Sequence, residues 1–116
     1  MHELGLAEGI VQIARQQIEL HGARRVNAIK LLIGDAVAVD PEALRFGFEV
    51  VAESIPELRG AVLEIETAPY RARCRSCSSQ FDVVDFSAWC PVCGAASVDI
   101  ISGNEFHVLE MDVDQD

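Results

Sequence analysis

Four cysteines in two Cys-x2-Cys pairs, Cys74–Cys77 and Cys90–Cys93 with twelve residues between them, constrain this chain more than any other feature. Within each pair a tight turn lets two thiolates converge on one cation. Two such turns, brought together by a short hairpin, supply the four corners of a tetrahedron with metal–sulfur distances of about 2.3 Å. Cys90-Pro91-Val92-Cys93-Gly94 is the more telling half, because proline fixes the entry to the turn and Gly94 is free to take a positive φ. Four thiolates fill the coordination shell and leave no position for a substrate water, so a zinc ion held here is structural.

Iron is the rival metal, since a Cys-Pro-x-Cys-Gly knuckle also occurs in rubredoxins. The stretch from Cys74 to Cys93 offers only Phe81, Phe86 and Trp89 as aromatics to shield a redox centre, which favours zinc. Two separate redox pairs or two disulfides leave the pairing of the pairs unexplained, and disulfides are rare in a reducing compartment.

At 116 residues the chain supports one modest core and a small appendage, and a hydrophobic content of 50% predicts a folded protein. No apolar run approaches the roughly 20 residues that span a bilayer, so no membrane segment is expected. Met1-His2-Glu3 lacks the positive start of a secretory signal, and the cytoplasm is the expected location. Nine Lys and Arg against nineteen Asp and Glu give a formal charge of −10, which repels phosphate backbones and argues against nucleic acid as a partner. Arg71, Arg73 and Arg75 are a local basic exception. Acidic charge suits cation handling or docking on basic protein surfaces, and equally it keeps a small protein soluble.

Apolar residues Leu6, Ile10, Ile13, Ala14 and Ile18 recur at helical spacing and predict a helix over 4–21, stopped at Gly22. Ala28 to Ile33 reads as a strand. Asp40, Pro41 and Glu42 mark the N-cap and first turn of a second helix, with Leu44, Phe48, Val51, Ala52 and Ile55 on its buried face and Pro56 at its end. Ala61 to Thr67 is a further strand. From Ala68 to Gly103 the cysteines sit among short strand-like pieces at 81–84 and 98–101, and Glu105 to Val113 alternates like a strand again. The expected fold class is α/β: two helices packed on a small mixed sheet, with an inserted four-cysteine, zinc-ribbon-like module. The expected division is 1–67, then 68–103 as the insertion, then 104–116 as a strand returning to the first domain with an acidic tail. The aliphatic sheet edge also permits exchange between chains, so a homodimer is a partner to consider.

His2 is the second chemically notable residue. A free α-amine, a deprotonated backbone amide and the His2 imidazole form fused chelate rings whose strong field suits Ni(II) or Cu(II) in square-planar geometry. Methionine aminopeptidases need a small second residue, so Met1 and its amine should remain, and Glu3 adds a carboxylate. On its own a histidine at position 2 is more often an exposed, frayed side chain. His21 reads as a cation at a helix C-terminus and His107 as a structural residue of the last strand.

Taken together, Met1-His2-Glu3-Leu4, Val39-Asp40-Pro41-Glu42-Ala43-Leu44-Arg45-Phe46, Leu63-Glu64-Ile65, the two knuckles and Gly103-Asn104-Glu105 resemble the HypA/HybF family of hydrogenase-maturation nickel metallochaperones. The resemblance spans nearly the whole chain. It implies a protein that is not an enzyme and that binds Ni(II) and delivers it for maturation of [NiFe]-hydrogenase. The implied partners are a HypB-type GTPase and the hydrogenase large-subunit precursor. It places nickel on His2, Glu3 and Asp40 with the Met1 amine, and a structural zinc on Cys74, Cys77, Cys90 and Cys93 in a separate domain, so that 1–67 becomes the nickel-binding domain. Where the family commonly has Gly-Glu-Leu-Ser, this chain has Gly34-Asp35-Ala36-Val37: the acid is kept but shortened and the hydroxyl is missing. No role is assigned to that loop. Some relatives also serve urease.

Overall fold

A computed structural model describes residues 3–115. Helix α1 runs Glu3–His21, and helix α2 runs Pro41–Ala52 behind its Asp40 cap. Strands β1 (Ala23–Gly34), β2 (Val62–Ala68) and β6 (Phe106–Gln115) form one three-stranded sheet in the order β2-β1-β6. Strands β3 (Arg71–Cys74), β4 (Gln80–Asp82) and β5 (Val98–Ser102) form a second sheet in the order β4-β3-β5. The observed class is thus two helices, two small sheets and a four-cysteine module. Two compact units divide the chain, one from residues 1–31, 39–66 and 107–116, the other from 32–38 and 67–106.

β1 is the central strand of the first sheet, and its alternation buries Ile29, Leu31 and Ile33. Lys30 points to the opposite face and reaches both neighbours, with Glu66 of β2 at 3.6 Å and Glu110 of β6 at 3.3 Å. These contacts place one cation between two anions across three strands. The helices pack on each other through small residues: a Cβ at Gly47 of α2 would lie 3.4 Å from the Ala7 Cβ of α1. The buried stripe of α1 is Ala7, Ile10, Val11 and Ala14. Ile13, which the periodicity places in the core, is instead 42% exposed, and the stripe turns toward the smaller residues that let α2 approach. Leu44, Phe48 and Ala52 are buried on α2 as the pattern requires.

The second unit is held by antiparallel pairing of β3 with β4 and with β5, Ala72 lying opposite both Phe81 and Ile100. Its core is small: Ala72, Cys74, Phe81 and Cys90, with Val83, Ala95 and Val98 packed against them. The segment 32–38 joins this unit by backbone bonds, Gly34 N–H donating to the Glu105 carbonyl at 2.7 Å and Ala36 N–H to the Gly103 carbonyl at 2.9 Å. Glycine is required at position 34, because a Cβ there would stand 2.0 Å from the Gly103 oxygen. Among the described residues no helix is long and apolar enough to cross a membrane.

Candidate metal centre

The two cysteine knuckles are built alike. In each, the first cysteine's carbonyl accepts from the N–H four residues on: Ser78 to Cys74 and Gly94 to Cys90, both at 2.9 Å. Each first cysteine's own N–H donates to the carbonyl five residues on, Ser79 or Ala95, also at 2.9 Å. The turn needs a positive φ at the fourth position after the first cysteine. Gly94 supplies it at +76° at little cost, whereas Ser78 adopts +67° with a side chain in place. The motif pointed to Gly94; nothing in the residue type of Ser78 signals the same role.

These turns aim backbone donors at sulfur. The N–H of Cys77 points to Cys74 Sγ at 3.5 Å, and those of Val92 and Cys93 to Cys90 Sγ at 3.4 and 3.5 Å. Such bonds stabilise thiolates. The Cys77 N–H is the main cause of a lowered Cys74 pKa, and the Ser79 hydroxyl and backbone N–H pull Cys77 down to about 6. Cys93 is drawn down by the Ala95 N–H, but crowding by the Cys74, Cys90 and Cys77 sulfurs together with desolvation outweighs that and pushes it up to about 12. Four sulfurs this close cannot all ionise without a cation among them.

Cys74 Sγ and Cys93 Sγ are 3.5 Å apart, Cys77 Sγ and Cys90 Sγ 3.6 Å, and all four lie within 4.8 Å of one another. A tetrahedron with metal–sulfur bonds of about 2.3 Å has edges of about 3.8 Å, so the donor set fits one ion. All four thiols are free of disulfides. Cys74 and Cys90 are buried, while Cys77 and Cys93 are exposed at the rim. The four cysteines form a metal-binding site, and among the described residues no other group of three or more His, Cys, Asp and Glu side chains is set to hold a metal.

The residues expected to bind nickel are distributed as follows. Met1 and His2 lie outside the described residues. Glu3 opens α1, and its Oε2 accepts from the backbone N–H of Asp40 at 3.3 Å, so these two acids are neighbours although 37 residues apart. Asp40 caps α2, with Oδ1 accepting from Glu42 N–H at 3.0 Å and Ala43 N–H at 3.4 Å. His21 stands in the last turn of α1, and His107 is exposed on β6.

The family model for hydrogenase/urease nickel incorporation, the HypA metallochaperone, matches residues 1–113. The chain belongs to the HypA family. Hydrogenase maturation factor HypA of Acidithiobacillus ferrooxidans is 39% identical over 114 residues, covering 98% of this chain and 100% of the relative. The factor of the same name from Azotobacter chroococcum mcd 1 is 40% identical over 115 residues, with the same coverage. The solution structure of the Ni metallochaperone HypA from Helicobacter pylori superposes with a TM-score of 0.72 over 100% of both chains, at 22% identity, and so shares the fold. HypA proteins are nickel-incorporating maturation factors rather than enzymes, and the chain is one of them.

Proposed function

We propose that this HypA chain binds Ni(II) at its amino terminus through the Met1 amine, His2, Glu3 and Asp40, and holds a structural zinc on its four cysteines. On this reading it delivers nickel to a [NiFe]-hydrogenase large-subunit precursor in the cytoplasm, together with a HypB-type GTPase. Residues 1–67 with 104–116 are the nickel-binding domain and 68–103 the zinc-binding module. What supports the nickel set is the meeting of the two helix starts at the Glu3–Asp40 hydrogen bond. Asp40 uses only Oδ1 for its cap, which leaves Oδ2 free among the described residues to face a cation. The first four N–H groups of a helix have no intrahelical acceptor, so an amide there can lose its proton to nickel without breaking the helix. Zinc is favoured over iron because the centre is poorly shielded: Cys77 and Cys93 are exposed, and so are Phe86 and Trp89, two of the three aromatics between the first and last cysteines.

The test is calorimetric titration of Ni(II) into untagged protein, with metal analysis of the same sample. His2→Gln, whose second residue is still too large for Met1 to be removed, should abolish tight nickel binding and leave about one zinc per chain, because an N-terminal chelate cannot form without the imidazole. Undiminished nickel affinity in His2→Gln would overturn the terminal chelate and leave His107 as the next ligand to try. Stoichiometric iron with visible thiolate–iron absorption would overturn the zinc assignment.

A further inference from the structure

The second unit carries a groove of about 320 Å³ that the metal chemistry does not use. Its apolar wall is Tyr70, Val83 and Phe86, and its acidic rim is Asp35, Asp82 and Asp85. The two rings meet edge to face, with centroids 6.0 Å apart and planes at 63°. That leaves ring surface turned outward, and Phe86 is 63% exposed. Phe86 reaches this position on a tight turn. Val84 and Ser87 bridge, and Asp85 and Phe86 between them take φ of +52° and +59°, so both central residues are left-handed.

The charge on the rim is unbalanced. Asp82 is neutralised by Arg71, to which it pairs across β3 and β4. The carboxylates of Asp35 and Asp85 have no hydrogen-bond or ion-pair partner among the described residues, and no basic side chain lines the groove. Two open carboxylates beside two aromatic rings are complementary to a guanidinium or ammonium on an aliphatic stem: the carboxylates attract the charge, and the rings take the stem and the cation's face. The formal charge of −10 adds long-range attraction for a basic surface and repulsion for a nucleic acid.

We propose that this groove is a docking site for a basic segment of a partner protein, which places an arginine or lysine side chain against Tyr70, Phe86, Asp35 and Asp85. This contact is separate from the nickel ligands, so the zinc-bearing unit serves as an adaptor as well as a scaffold. It does not depend on where nickel binds, and it is readable in protein that carries no nickel.

The probe is a fluorophore-labelled peptide of alternating arginine and alanine, titrated with the full-length zinc-loaded chain and followed by anisotropy. A counterpart with citrulline in place of arginine keeps the shape and removes the charge. Binding should be saturable, weaken with salt, and fall about tenfold with the citrulline peptide. Asp35→Asn/Asp85→Asn and, separately, Phe86→Ala should each weaken binding about fivefold to tenfold, with zinc content unchanged. Asparagine tolerates the left-handed conformation, so the carboxylate variant keeps the turn. Glu8→Gln/Glu64→Gln removes the same charge at exposed positions outside the groove and should leave affinity intact. Equal losses in that control and in Asp35→Asn/Asp85→Asn would overturn the site in favour of diffuse attraction. Parent-like binding by both groove variants would overturn it outright, as would tighter binding of an oligouridine than of the arginine peptide.

Discussion

Asp40 shows how one residue carries two readings that a single substitution can separate. As an N-cap it was fully legible in the sequence, because Asp-Pro-Glu places acceptor, helix-compatible φ and acidic first turn in order. Its nearness to Glu3 was not legible, since the two lie 37 positions apart in the chain. Asparagine caps a helix as well as aspartate does, so Asp40→Asn should leave the melting curve nearly unchanged while weakening nickel binding. Asp40→Ala should lose the cap as well and cost about 1 kcal/mol of stability. Denaturant unfolding run beside nickel titration distinguishes the two. Nickel affinity equal to the parent in Asp40→Asn would remove Asp40 from the ligand set. The cysteines were legible for a different reason: their spacing is dictated by the ion, whatever the surrounding fold. The left-handed Ser78 and the Asp85–Phe86 turn were missed, because neither site carries the glycine or Asn-Gly signal such backbones usually show.

Among the elements, agreement tracks how far side-chain pattern alone decides the structure. Both helices and the Phe106–Gln115 strand lie close to where periodicity puts them. β1 begins at Ala23, five residues before the expected Ala28, because Arg24, Arg25 and Asn27 are polar and read as loop. Tertiary bonds hold them in the strand: Arg25 donates to the Arg59 carbonyl at 2.6 Å and Asn27 to Asp114 Oδ1 at 3.0 Å. The middle of β1 offers a pH test. Glu110 first and Glu66 second raise the Lys30 pKa above its ordinary 10.5. A raised lysine pKa stabilises the fold fully below 10.5 and loses that contribution as pH rises through the higher folded value. The melting-temperature gap between parent and Lys30→Gln should therefore be steady from neutral pH to about 9, then close in strong alkali. A gap that closes between neutrality and about pH 9 would contradict this triad. Gly34 is the other element-scale prediction. Its alanine variant must push the Gly103 backbone away, and should cost about 3 kcal/mol in denaturant unfolding. Gly22→Ala, where nothing lies within 4 Å, would suffer only from its φ of +64°.

The two units of the molecule differ in what holds them together, and that difference sets how the protein should respond to loss of metal. The first buries Ile10, Val26, Ile29, Leu31, Leu44, Phe48, Leu58 and Leu63 without any ligand. In the second, two of the four core residues, Cys74 and Cys90, are metal ligands, and only Phe81 is a large side chain. A core this small does not offset the entropy of ordering its loops, so the free energy of metal binding is in effect folding free energy there. Stripping the metal with a chelator and a thiol-reactive agent should therefore raise amide exchange by orders of magnitude across 71–102. The N–H groups of Cys74, Cys90 and Gly94, which close the knuckles, should report first. Amides of α1, α2 and the centre of β1 should keep their protection, because their bonds and burial need no metal. Acid should act in the same direction as the chelator, since protons compete with the ion for the thiolates. Hydrogen exchange followed by mass spectrometry separates these outcomes. Simultaneous loss of protection in both helices would mean that the metal supports the whole chain. Unchanged exchange across 71–102 would mean that Ala72, Phe81 and their neighbours suffice without it.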